Sequence, residues 1–550
     1  MHRIDSCQFW NCLVPRNCAL MILTLASSLL APAQVSVTTY HYDNYRTGLN
    51  SQETVLTPTA VHSPSFGVLR TVTLDNQVDA QPLVVPNVTI TAGNHKGIHN
   101  VVYVATDNNS IYAIDTTTGT VLLQPNFGAP VVRPLNCGKN NPDVGINSTP
   151  VIDLSSNTLY AVIYTQQSTG PAYFVHALDL GSLTDKVTPQ PVTGSHTLTD
   201  GTTFTFNATY QRQRPALLLA NGNVYAAFGS FCDLAPNLSR GWVLGWQTGT
   251  LAPLAGNQLM DTQATDTGSF FLSSVWMSGY GPAADDSGNI LFVTGNSDPS
   301  GTTYDGVTDI QESVVKVSAD LTTVLDLFTP SNVADLDEHD LDFGSGGVMV
   351  LPDQPGSIPH LAVAAGKVGS MFFMNEDDLG GFSTETNNVL GTYAIGQCWC
   401  GESYFVDPKD SAARVVSSGG SNIIVWKLLT SPAPSLTEVT SSPALNTVGT
   451  GFFTSVSSNG TANPIIWALA RPTGKQTTLS LYAFDPDIGG TTMKQLFLGT
   501  AGAWVTNGSN TNLVPVVANG HVFVASYKEL VILGLHPKGE AEGAPSASPR

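Results

Sequence analysis

Residues 79–85 read DAQPLVV, and residues 100–115 read NVVYVATDNNSIYAID. In the second stretch two apolar runs, VVYVA and IYAI, flank Thr106-Asp107-Asn108-Asn109-Ser110. Val, Ile and Tyr suit a pleated, half-buried backbone, whereas Asp, Asn and Ser bond their own backbone and turn it, so the pattern is strand, tight turn, strand. With the run before it, this makes a small antiparallel sheet, and no 3.6-residue apolar period competes.

The same unit recurs outward from there. NSTPVID (147–153) leads to NTLYAVIY, and the pattern returns in QRPALLLANGNVYAAFGS (213–230), GYGPAADDSGNILFVTG (279–295) and GSGGVMVLPDQ (344–354) followed by HLAVAAGKVGSMFFMN. Weaker copies are CGESYFV (400–406), GFFTSVS (451–457) and NTNLVPVVANGHVFVASYKELVILGL (510–535). Eight copies about 62 residues apart predict an all-β chain, an eight-bladed β-propeller of four-stranded antiparallel blades spanning residues 34–536. A lone blade has two open edges and an unburied face, and ring closure removes both. FGVLRTVTLD (66–75) precedes the first copy without a local partner, so it is expected to supply the outer strand of the last blade.

Composition narrows the function. The 550 residues carry 22 Lys plus Arg against 42 Asp plus Glu, a net charge of −20, which repels a phosphate backbone and argues against nucleic acid. Charged residues make up 12% of the chain, with 51 Gly and 34 Pro: packed and turn-rich. Residues 1–33 read as an export signal, with Arg3 and Arg16 before ALMILTLASSLL and a small-residue site at Ala31-Pro32-Ala33, which predicts a secreted or periplasmic protein. No other stretch approaches the length of a membrane span. Residues 537–550 are expected to form a disordered tail. Removing the signal leaves Cys137, Cys232, Cys398 and Cys400, an even set suited to disulfides in any of three connectivities.

Ala113-Ile114-Asp115-Thr116-Thr117-Thr118-Gly119 matches A-x-D-x-x-T-G, the start of the pyrroloquinoline quinone repeat, with Leu123 at the usual Trp position; Ala177-Leu178-Asp179 and Ala483-Phe484-Asp485 echo it. The chain therefore resembles the quinoprotein alcohol dehydrogenase-like superfamily of eight-bladed propellers, which also contains members without quinone. The resemblance implies a site. Asn296, in GNILFVTGN, falls at a calcium ligand; Asp233, in GSFCD before Arg240-Gly241-Trp242, at the calcium carboxylate; Asp342, in Leu341-Asp342-Phe343, at the catalytic base. Lys367, in KVGSMF, falls at the cation beside the quinone oxygens, and Trp276 or Tyr280 is the nearest aromatic floor for the cofactor.

These residue types suit that chemistry. Calcium prefers oxygen ligands, a carboxylate can take an alcohol proton, a lysine can stabilise an oxygen that becomes anionic, and an indole can stack on a planar ring. The sequence departs from the family where Cys137-Gly138 replaces adjacent cysteines, Asp233 replaces Glu and Leu341 replaces Trp. Local roles are open to the same residues: Asp342 and Asn296 as turn formers, Lys367 as a solvated strand residue. Two functions follow. One is oxidation of an alcohol or sugar through pyrroloquinoline quinone and calcium, with a separate electron acceptor because no Cys-x-x-Cys-His haem motif is present. The other is a non-catalytic propeller that binds carbohydrate, cell-envelope polymer or a protein.

Overall fold

The computed structural model describes residues 34–138, 141–235, 238–264, 272–298, 302–486, 490–505 and 513–537; residues 1–33, expected to be an export signal, and the expected tail beyond Pro537 lie outside them. Eight antiparallel sheets follow one another as blades of a propeller. Blades one to seven span residues 83–123, 151–191, 211–259, 283–329, 348–394, 403–441 and 454–503. The eighth is Val516–Ala518, His521–Ala525, Tyr527–Leu535 and Phe66–Gln77. In it Phe66 lies opposite Leu535 and Val72 opposite Leu530, so the segment 66–75 is the outer strand that ties the two ends of the chain together.

Three blades exceed the expected four strands: in blade three Gln211–Gln213 and Leu218–Ala220 both pair with Asn223–Ser230, and two other blades gain a short parallel strand. Gly381–Phe382 adds in parallel to blade four at Val324–Thr329, and Leu49–Asn50 adds in parallel to blade seven at Thr454–Asn459. Both additions come from connecting segments that cover an otherwise open edge. Among the described residues no helix is long and apolar enough to cross a membrane.

The apolar cores lie in the seams. Val151, Tyr160 and Val175 of blade two pack with Val224, Phe228 and Trp242 of blade three, and Ile465 and Trp467 of blade seven pack with Val522 and Leu533 of blade eight. A middle strand covered on both faces needs apolar residues at consecutive positions, which is why Ile290–Val293 and Leu361–Ala365 read as unbroken apolar runs.

Residues 35–50, unassigned from the sequence, thread the ring and bond to every blade. Val37 exchanges backbone bonds with Val84, Ile152 N–H donates to Thr38 O, and Arg46 donates to Leu217 O and Pro282 O. Val350, Tyr404 and Val456 N–H then donate to Tyr45 O, Thr47 O and Gly48 O, and Val517 N–H donates to the Tyr42 hydroxyl. This plug occupies the centre that the inner strands leave open.

Beside it, Glu402 is fully buried, neither carboxylate oxygen has a hydrogen-bond partner, and burial pushes its carboxyl up to about 7 from 4.5. A raised folded-state value means that its contribution to stability is full below about pH 4.5 and is lost as pH rises through about 7. Glu402→Gln, which cannot ionise, is therefore expected to gain up to about 3 kcal/mol relative to wild type between pH 4.5 and 8. Urea denaturation of both proteins across that range checks this; a difference independent of pH counts against it.

Candidate functional site

One cavity gathers the ends of inner strands and the loops that leave them. It holds about 830 Å³ of atom-free space open at its mouth. Blade three contributes Arg212, Arg214 and Ser230 and, after its Asn223–Ser230 strand, Cys232 and Asp233; the approach to blade four contributes Ser274, Trp276 and Ser278, and the loop after Ile290–Val293 contributes Asn296. Asp340 and Asp342 precede blade five, Lys367 sits in its Leu361–Ala365 to Ser370–Asn375 turn, and Trp399 precedes blade six. Loops carry chemistry here while the sheets hold them in place.

Asp342 is the hub. Its Oδ1 accepts from Trp276 Nε1 at 3.2 Å and from Asn296 N–H at 3.2 Å, and its Oδ2 pairs with Lys367 Nζ. Burial alone would raise its pKa, but the adjacent ammonium wins and holds the carboxyl below the usual range. Lys367 also donates to Asp340 Oδ1 at 2.7 Å and to Asp340 O at 3.0 Å, while its Nζ lies 5.7 Å from the Trp276 ring centre and 5.9 Å from that of Trp399. Its own pKa is raised because the two carboxylates outweigh desolvation. Lys367 is thus neither solvated nor snorkelling.

Asp233 follows Cys232 in a left-handed turn, with φ of 55° and 53°. Its Oδ1 accepts from Ser230 Oγ, and burial, with Asp342 and Asp340 nearby, pushes its carboxyl up to about 6. Asn296 is buried, and its Nδ2 has no acceptor. Asp233, Asn296, Asp342, Lys367 and Trp276 therefore line a single cavity.

Tyr280 does not join them. It is fully buried, its hydroxyl donates to Arg46 O at 2.8 Å, and its ring stands edge-on to Tyr40 and His41. Gly347 and Gly401 approach the ring so closely that a Cβ on either would overlap it. A 3₁₀ turn at Met277–Gly279 separates the two aromatics, leaving Trp276 on the cavity and Tyr280 between cavity and plug.

Cys137 bonds to Cys232, 95 residues away, and Cys398 bonds to Cys400. The first joins the 131–144 loop to the turn that carries Asp233; the second frames Trp399. Mass spectrometry of the unreduced protein lacking residues 1–33 is expected to find no free thiol, and four free thiols would contradict both bonds.

The sequence reading missed Arg212, Arg214, Asp340 and Trp399. A signal for the arginines existed: QRQR (211–214) places two of only 22 cations at alternate positions leading into an apolar strand.

The oxygen donors fit a hard cation, and the arginines and indole fit a planar acidic cofactor. Arg214 Nε and Asn296 Nδ2, both buried without an acceptor, are the kind of groups that a bound polar molecule satisfies.

No protein-family model matches the chain, and no curated protein matches its sequence. Among solved structures it is similar to a quinohemoprotein alcohol dehydrogenase of Pseudomonas putida HK5, with a TM-score of 0.58 and 12% identity over 94% of this chain and 82% of that one. It is also similar to a europium-containing methanol dehydrogenase, with a TM-score of 0.55 and 10% identity over 91% of this chain and 98% of that one. At such identities the likeness speaks for fold alone: the chain is an eight-bladed β-propeller, the fold it shares with these dehydrogenases.

Proposed function

We propose that this protein is an exported dehydrogenase that oxidises an alcohol or sugar with pyrroloquinoline quinone and calcium. The observation that carries the proposal is the meeting of Asp233, Asn296, Asp342, Lys367 and Trp276, drawn from three blades and their loops, on one cavity. When bound, the quinone with its calcium supplies the two-electron acceptor. Asp233 and Asn296 offer the oxygens for the cation, and Trp276 offers a flat wall. Asp342, kept ionised by Lys367, is the acceptor for the substrate's hydroxyl proton, and its two N–H donors fix the direction in which it receives it. Lys367 holds a permanent positive charge at the wall. Electrons leave to a separate protein or dye.

The test is to add quinone and calcium to purified protein and follow dye reduction with a panel of alcohols and sugars. Substrate-dependent reduction supports the proposal. Quinone binding without reduction by any substrate replaces it with the non-catalytic propeller that binds carbohydrate, envelope polymer or a protein partner.

A further inference from the structure

One buried cluster takes no part in the cavity described above. Cys398, Cys400 and Glu402 occupy alternate positions in the run that leads into blade six, and none of them is exposed to solvent. A sulfur of each cysteine and a carboxylate oxygen of Glu402 lie within 4.8 Å of one another. The cysteines pack in an apolar core with Ala365, Met371 and Ile395, and neither oxygen of Glu402 has a hydrogen-bond partner. A buried carboxylate with nothing to bond is costly unless it is protonated or meets a cation.

The ligand types say which cation. Two thiolates with a carboxylate suit zinc, whereas calcium and magnesium take oxygen ligands. Around a tetrahedral zinc, sulfur and oxygen ligands sit about 3.5–3.8 Å apart, so groups already within 4.8 Å can close on the ion by side-chain movement once the sulfurs are free to separate. Three anionic ligands on a divalent ion leave one negative charge. Arg471 supplies its match: the side chain is buried and donates to Trp399 O, between the two cysteines, and to Thr450 Oγ1 at 3.0 Å. The fourth position of the tetrahedron is left to water.

We propose that Cys398, Cys400 and Glu402 form a thiol-gated zinc site, held shut by the disulfide and opened when an external dithiol reduces it. The dithiol is oxidised to its own disulfide; its two electrons cleave the Cys398–Cys400 bond and its two protons pass to the sulfurs. Zinc then displaces those protons, and the Glu402 proton where one is held, as the metal–ligand bonds form. None of the three ligands lines the quinone cavity, so the site stands or falls apart from the dehydrogenase proposal. Trp399 does line that cavity, and either the disulfide or the metal ties the loop that presents it.

The test reduces purified protein with dithiothreitol under anaerobic conditions and removes the reductant by desalting. The protein is then titrated with cadmium, whose thiolate bonds give an ultraviolet charge-transfer band, and with zinc in competition. Because the same treatment can open Cys137–Cys232, the reference is the double variant Cys398→Ser, Cys400→Ser, reduced alike. Reduced wild type is expected to bind one zinc per chain more than the reference, oxidised wild type to give no thiolate band, and reduced Glu402→Gln to bind zinc at least tenfold more weakly. Thiol counting establishes that the cysteines are free. Thermal melting shows that each protein is folded, and zinc is expected to raise the melting temperature of reduced wild type above that of its metal-free form. Reduced wild type that binds no more metal than the reference overturns the proposal, and so do Cys398 and Cys400 that stay bonded until the protein unfolds. Zinc affinity unchanged in Glu402→Gln overturns it too, because the buried carboxylate would then not be a ligand.

Discussion

Asp342→Asn is expected to lower quinone-dependent dye reduction by about 10²–10⁴-fold, the range that a positioned proton acceptor contributes. The substitution changes little volume. An asparagine oxygen can still accept from Trp276 Nε1 and Asn296 N–H, both 3.2 Å from Oδ1 in the native protein. The other atom becomes an amide NH₂ facing Lys367, which cannot take a proton. Lys367 keeps Asp340, 2.7 Å away, so its charge is not orphaned, and the stability cost stays near about 1–2 kcal/mol. Steady-state rates at saturating substrate, with urea denaturation as the control, check the split. A variant that retains more than a tenth of the wild-type rate would mean that another group takes the proton.

The largest stability effect is expected at Arg46, at the centre of the plug. Its guanidinium is fully buried and donates to Thr39 Oγ1 at 2.8 Å, Tyr40 O at 2.9 Å, Pro282 O at 2.9 Å and Leu217 O at 3.1 Å. One side chain thereby joins the plug to blades three and four. Burial lowers its pKa to about 10, still far above neutrality, so the cation and its bonds persist at pH 7. Arg46→Met keeps most of the bulk but leaves several buried carbonyls without donors, each worth about 1–3 kcal/mol. A loss of about 4 kcal/mol or more is expected from the shift in urea midpoint. A loss below about 1 kcal/mol would show that the plug is held by its backbone bonds alone.

The fold was legible because a blade is a local object. Runs such as NVVYVATDNNSIYAID contain strand, turn and strand within one short stretch, and repetition multiplies the signal. The plug was not legible, because its bonds to Val84, Ile152, Val350 and Val456 span the length of the chain and place no periodic demand on residues 35–50. The extra strands Leu49–Asn50 and Gly381–Phe382 are two residues long, too short to carry alternation.

At the site, residues tied to strand ends could be placed by motif order, and Asp233, Asn296, Asp342 and Lys367 do share one cavity. Tyr280 could not be separated from Trp276 by sequence. The backbone between them takes positive φ at Met277 and Ser278, 37° and 48°, so four residues of spacing say nothing about direction. Arg214 escaped notice because its meaning lies in what is missing around it, and an absent partner leaves no trace in a sequence. The pairing of Cys137 with Cys232 is likewise a matter of which loops meet.

The central claim, that these residues form one cation-dependent quinone site, is tested most directly by titrating pyrroloquinoline quinone into the protein with calcium and with a chelator. Wild type is expected to bind one quinone per chain with calcium present, at least tenfold more weakly with chelator, and Asp233→Ala to behave with calcium as wild type does without it. Absence of binding, or binding unchanged by both the chelator and Asp233→Ala, would contradict the account.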